Sequence, residues 1–232
     1  MKKNNVWFIT AKTNLHVGNE NTSSYGLIDL AVQRNVTTEL PCINSSSLKG
    51  ALNEFAAKEA KLASEDLIKI FGSDKVKEND KKSRNSNTQK GQYTFFEANI
   101  LFLPVQSDTK LYELATCDAV LDRFVKQVKL LTGETIDKEE VKSKFGCKKI
   151  VNDGEFESLC NDDNLPIIAR NVLENGESKN LWYEQVVPAE AVFYTIIDDK
   201  GDGVLAEKIK NAIVQIGANA TIGYGYCEFT NL

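Results

Sequence analysis

Three stretches with apolar residues at helical spacing, each followed by a run of strand chemistry and joined by connections too long for hairpins, constrain this chain more than any other feature. Leu48, Ala51, Leu52, Phe55 and Leu62 share one helical face and predict a helix over about 47–63, with Ser45, Ser46 and Ser47 as N-cap oxygens. Cys117, Val120, Leu121, Phe124, Val125, Val128 and Leu131 mark a second helix, with Gly133 just past its end. Leu205, Ile209, Ala212, Ile213 and Ile216 mark a last one that stops at Gly217. A short helix also starts from Asp137, with Glu140 as its capping-box partner. Between them, 6–12 reads as a half-buried strand, and 93–105, 191–197 and 224–229 as further strands. The segment 167–182 reads as two strands about Asn175-Gly176, a strong hairpin signal.

This order predicts an α+β fold in one domain: a ferredoxin-like or RRM-like core sheet with helices on one face. Three additions interrupt it: a loop excursion at about 16–46, a flexible, apolar-poor insertion at about 73–92, and the hairpin at about 167–182. No repeat of solenoid period is visible.

With 232 residues and 42% hydrophobic content, the chain can bury a full core without cross-links. Its five cysteines, Cys42, Cys117, Cys147, Cys160 and Cys227, are odd in number and contain no Cys-x-x-Cys pair. Neither a disulfide framework nor a structural zinc site is implied, and a reducing cytoplasm is the expected location. The first ten residues lack the apolar run of a signal peptide or membrane span, so no membrane partner is expected.

The formal charge of -5 argues against gripping nucleic acid through an overall field, so any nucleic-acid contact must be local. Two basic clusters could supply one: Lys75, Lys77, Lys81, Lys82, Arg84 and Lys90, and Lys142, Lys144, Lys148 and Lys149. Each alone is more often a solvated face. The tip of the first helix has free amides, serine hydroxyls and Lys49, a combination suited to phosphate.

The most informative segment is GANATIGYGYCEF, residues 217–229. Its glycines permit positive φ and close backbone approach, and successive amides can form a nest for phosphate oxygens. Such a loop beside a strand is, about as often, only a tight connection. The string resembles the C-terminal glycine-rich loop of the RAMP superfamily, CRISPR RNA-binding proteins built on RRM-like folds. LHVGNENTSSYGLIDLAVQRN, LPCINSSSLKGALNEFA, FFEANILFLPVQS, LATCDAVLDRF and LWYEQVVPAEAVFY then follow in the family's order. Together they span nearly the whole chain and resemble the subunit that polymerises along the guide RNA in type III-B (Cmr) complexes.

The resemblance implies head-to-tail copies of the chain, held with other Cmr subunits around CRISPR guide RNA and single-stranded target RNA. The hairpin at 167–182 corresponds to the family's thumb, which displaces bases at regular intervals. Asp29 matches an aspartate required for target cleavage. Beside a splayed nucleotide, a carboxylate could bind a divalent cation such as Mg2+ or help deprotonate a ribose 2′-hydroxyl. His16, the only histidine, takes a supporting catalytic place or a structural one. Lys49, with Ser46 and Ser47, matches a guide-phosphate site. Arg34 either touches RNA or braces the loop. Gly217, Asn219, Thr221, Gly223, Tyr224 and Gly225 are expected at RNA, and Tyr183 and Glu184 near the cleavage site.

The family often carries proline where this chain has Asn44 and Ala31, and an acid where it has Asn35. Three other readings stay open: a backbone subunit without cleavage activity, the related subunit of type III-A (Csm) complexes, and an RRM-like protein binding single-stranded RNA alone.

Overall fold

Alternating apolar and β-branched residues at both ends and in the middle of the chain build one sheet. The computed structural model describes residues 5–18, 28–73 and 89–232. The long strands are β1 (Val6–Ala11), β4 (Ala98–Val105), β9 (Val192–Asp198) and β11 (Tyr226–Asn231), with short strands β2 (Cys42–Ile43) and β3 (Thr94–Phe95) alongside. In chain order the four long strands lie side by side as 4-1-3-2, every neighbouring pair antiparallel. At one edge β11 pairs with β10 (Ile213–Gln215); at the other, β5 (Glu113–Cys117) joins β4 and is continued by β6 (Lys149–Val151), in parallel.

Helix α1 (Ser45–Lys58) follows β1, and α3 (Asp118–Thr132) and α4 (Lys138–Phe145) sit in the connection between β5 and β6. Side chains alternate across a strand, so Phe8 and Trp7 point to opposite faces, yet both are buried. Phe8 meets Phe124 of α3 at 5.9 Å and Phe145 of α4 at 5.0 Å, and Phe124 meets Tyr194 edge-on at 4.7 Å. Offset and edge-on aromatic contacts of this kind each add about 0.5–1.5 kcal/mol to plain burial. β1 was expected to be half-buried, but all six of its residues are buried, as are all seven of β9. The α+β class is therefore as anticipated, with a mostly antiparallel central sheet covered along its middle.

Several boundaries differ from the sequence reading. The first helix ends at Lys58; Lys61 turns to φ 51, Leu62 falls in the connection, and a separate helix that was not foreseen, α2 (Ser64–Phe71), follows. Asn44, not a serine, occupies the N-cap of α1, and no side chain caps it. The Asp137 side chain caps α4 by accepting from the amide of Glu139, not Glu140. Helix α5 (Asp153–Cys160), capped by Asn152 accepting from Glu155, was not foreseen.

The last helix is also shorter than expected: α6 is Val204–Ile209, and Asn211 at φ 58 redirects the chain into β10. There Val214 and Ile216 are buried while Ile213 is exposed, the two-residue period of a strand. The hairpin forms about the expected turn, with its second strand running three residues past Trp182. β7 (Ile167–Glu174) and β8 (Glu177–Gln185) pair antiparallel about Asn175 and Gly176, both at positive φ. Residues 19–27 of the early excursion and 74–88 of the insertion lie outside the described residues, as do Lys75, Lys77, Lys81, Lys82 and Arg84. Among the described residues, no helix is long and apolar enough to cross a membrane.

Candidate RNA interface

The end of β8 gathers the site. Residues 183–185, at the base of the hairpin and still paired with β7, carry β8 into the body of the protein, where Glu184 and Gln185 are buried, and the early excursion runs alongside them. The Tyr183 carbonyl accepts from the amides of Asp29 (3.0 Å) and Leu30 (3.1 Å), and the Gln185 amide donates to Leu30 O at 2.9 Å. Asp29 returns the contact: its Oδ2 accepts from the Tyr183 amide at 2.7 Å. The carboxylate is thus fixed by one oxygen while the residue stays exposed, and no described group holds Oδ1. Tyr183 holds the carboxylate through its backbone amide, and the tyrosine as a residue is 40% exposed.

Directly behind this surface lies a closed polar cluster. His16 is buried, and its Nδ1 lies 2.7 Å from Gln185 O. A carbonyl can only accept, so Nδ1 carries the proton. The same nitrogen is 3.5 Å from Glu184 Oε1, and that oxygen accepts from the Asn219 side-chain amide. Glu184 is 1% exposed; a carboxylate that deep needs such partners. His16 and Glu184 therefore hold the hairpin base to the glycine-rich loop, with His16 enclosed at 3% exposure. Asn219, expected at RNA, uses its side chain on Glu184.

The glycine-rich loop is folded back on the protein more than its sequence suggests. A Cβ at Gly217 would lie 2.3 Å from His16 O, and one at Gly225 would lie 2.0 Å from Ile216 O. Both glycines are required by approach to the chain's own backbone. Amides of Ala218, Ile222, Gly223, Tyr224 and Gly225 donate to carbonyls of His16, Asn219, Ala220, Asn219 and Asn14, leaving at most those of Gly217 and 219–221 for a ligand. Those last three lie at the 3-10 turn Ala220–Ile222, where Thr221 is exposed, and a Cβ at Gly223 would meet nothing within 4 Å. Tyr224 lies under the Arg170 guanidinium at 5.9 Å, and Arg170 also covers Trp182 at 6.0 Å, tying the hairpin to this loop.

At the tip of α1, Ser46 is exposed and Lys49 half-buried without an ion pair among the described residues; the Ser47 hydroxyl accepts from Gln33 at 3.1 Å. Arg34 braces the loop: its guanidinium donates to Glu39 O, Cys160 O and Asp162 Oδ1, each at 2.7 Å. Of its two anticipated roles, bracing is the one the contacts bear. The second basic cluster is also partly committed, with Lys142 paired to Glu139 at 2.6 Å and Lys144 bonded to Asn231 O at 2.6 Å.

Sequence reasoning missed Gln33, Gln185 and Asp162. Gln185 is fully buried; its side chain accepts from Val32 N at 3.3 Å and donates to Asp162 Oδ1 at 3.1 Å. Glutamine is ordinarily a surface residue, so composition and periodicity gave no signal. Burial pushes the Cys42, Cys160 and Cys227 thiols up to about 12 and those of Cys117 and Cys147 to about 11. They are neutral packing groups, not thiolates.

Comparison with known proteins places these features in a family. The RAMP superfamily matches across residues 8–228. The chain is 27% identical to the CRISPR system Cmr endoribonuclease Cmr4 of Pyrococcus furiosus, with 88% of each chain covered. Its fold superposes on a chain of the type III-B Cmr-beta complex bound to cognate target RNA at a TM-score of 0.75 and 20% identity, covering 97% of this chain and 95% of that one. Against oligomeric Cmr4 from Pyrococcus furiosus the TM-score is 0.69 at 22% identity, covering 97% and 96%. Since the family match takes in every segment that builds the interface, from β1 to β11, this chain belongs to the RAMP superfamily.

Proposed function

We propose that this chain is a CRISPR RNA-binding backbone subunit of a type III-B (Cmr) interference complex and that it cuts guide-paired target RNA. The observation that carries this reading is Asp29: an exposed carboxylate, clamped by one oxygen to Tyr183, beside the base of a protruding hairpin. The relative named an endoribonuclease supports the activity. The relatives in an RNA-bound Cmr complex and in an oligomer support guide RNA, target RNA, further copies of this chain and other Cmr subunits as partners.

In the proposed reaction the Asp29 carboxylate takes the proton from a ribose 2′-hydroxyl as O2′ bonds to the adjacent phosphorus. The 5′-oxygen leaves in line and is protonated from water, giving a 2′,3′-cyclic phosphate and a 5′-hydroxyl. The protein reads guide–target pairing by backbone shape and leaves sequence to base pairing.

Mg2+ fits as a cofactor in one limited sense. No group of three or more His, Cys, Asp or Glu among the described residues could hold a metal. Mg2+ is commonly held by one or two carboxylates together with substrate phosphate and water, and Asp29 supplies one such carboxylate. When bound, the cation would neutralise charge developing on the phosphate.

The test is target cutting by complex reconstituted with Asp29→Asn. Loss of cutting by roughly a hundredfold or more, with guide and target still bound, is expected for a group acting in the transition state. Undiminished cutting at the same positions would leave a structural RNA-binding subunit.

A further inference from the structure

We propose that Gln33 is the positioning residue that sets the distance between the phosphate-facing tip of α1 and the cleavage loop; this rests on the function proposed above. Gln33 is 8% exposed and every polar group it has is engaged. Its side-chain Nε2 donates to Gly18 O and to Ser47 Oγ, both at 3.1 Å, and its Oε1 accepts from the Asn44 amide at 2.8 Å. Its backbone N–H donates to Val17 O at 2.8 Å, and its carbonyl accepts from Cys42 N at 3.0 Å.

One carboxamide therefore joins three segments: the stretch around His16 and Gly18, the N-cap of α1, and the strand-like run that begins at Asp29. That run is itself fixed to β8, through Leu30 O to the Gln185 amide and through Val32 N to the Gln185 side chain. Asp29 and Gln33 thus share one rigid backbone segment. Asn44, the N-cap of α1, carries no capping hydrogen bond from its own side chain, so Gln33 is the side chain that ties this helix end to the cleavage loop. Planarity matters as well, since an amide presents donor and acceptor in one plane at fixed spacing. Small misplacements at a reacting centre are costly in rate. A phosphate gripped at Lys49 and a ribose presented to Asp29 are then held at one separation.

The test is a double-mutant cycle in the reconstituted complex with guide RNA and saturating target, read as single-turnover cleavage well below the thermal midpoint of each variant. Gln33→Met keeps the length of the side chain and removes its hydrogen bonds; Lys49→Ala removes the ammonium. We expect Gln33→Met to slow cutting about tenfold with guide affinity within about threefold of wild type, and the double variant to be no more than about twofold worse than the poorer single one. Gln33→Glu, which keeps the acceptor for Asn44 but sets a buried carboxylate oxygen against Gly18 O, should be at least as slow as Gln33→Met. A rate within about twofold of wild type for Gln33→Met, or effects that simply multiply, would overturn the proposal. Failure of both Gln33 variants to assemble would also count against it, because a positioning role requires the scaffold to survive without this amide. Asp29→Ala in the same assay separates the two claims: if it still cuts, the cleavage assignment is wrong, whereas the coupling between Gln33 and Lys49 is scored on its own.

Discussion

Residues of the same type have opposite duties here, and local contacts decide which. Gly225 and Gly223 lie in one loop at φ 78 and φ 83, but a Cβ would collide with Ile216 O at the first and meets open space at the second. Gly225→Ala should therefore lose at least about 3 kcal/mol, combining overpacking with left-handed strain. Gly223→Ala should lose only about 1–2 kcal/mol from the backbone conformation alone; urea melts of the two variants check the difference. The five thiols give a pH prediction. Their folded pKa values are raised by burial, so the folded state keeps protons that the unfolded chain releases. The stability they contribute is complete below the unfolded thiol value of about 8.5 and is lost as pH climbs toward 11–12. Chemical denaturation between neutral and strongly alkaline pH should show that decline, and thiol reagents at mildly alkaline pH should label the protein only after unfolding.

Legibility varied with how local the signal was. The Asn175-Gly176 turn needs only its own two residues at positive φ, and it was readable from the dipeptide. Because β7 and β8 form their own two-stranded sheet, damage at the hairpin tip, far from the joint at its base, should not spread into the ladders of the central sheet. Gly176→Ala is expected to speed amide exchange in 167–185 while leaving β1 and β9 at wild-type protection, a pattern that hydrogen-exchange mass spectrometry resolves. A uniform acceleration across both sheets would contradict it. By contrast, α6 and β10 could not be separated by pattern, since Ile209, Ala212, Ile213 and Ile216 satisfy a helical period while Val214 and Ile216 satisfy a strand period. Pairing of β10 with β11, a long-range event, decides that contest.

At the scale of the molecule, the α+β class, the four long strands of the central sheet and helices α1 and α3 followed from periodicity, because each long element must bury one apolar face or stripe, whereas the short α2, α5, β2, β5, β6 and β10 did not. The candidate site was legible in part. Asp29, Lys49, Tyr183 and the glycine-rich loop stood out by motif and resemblance, and the structure brings the first excursion, the hairpin base and that loop together. Gln33, Gln185 and Asp162, which hold them in register, were invisible, since a buried glutamine is defined by partners far away in sequence. The site is thus a joint between segments from both ends of the chain, through which α1, the hairpin and β11 are coupled.

The central claim is that this joint faces RNA, with the α1 tip and the open part of the glycine-rich loop on the guide and Asp29 at the target backbone. A cryo-EM structure of the assembled complex, with guide RNA and a target carrying 2′-deoxy residues to block cutting, tests it most directly. The account predicts guide phosphates at Lys49 and Thr221, and the Asp29 carboxylate within about 4 Å of the blocked ribose or its phosphate. RNA running along another face of the sheet, with Asp29 turned to open solvent, would contradict it.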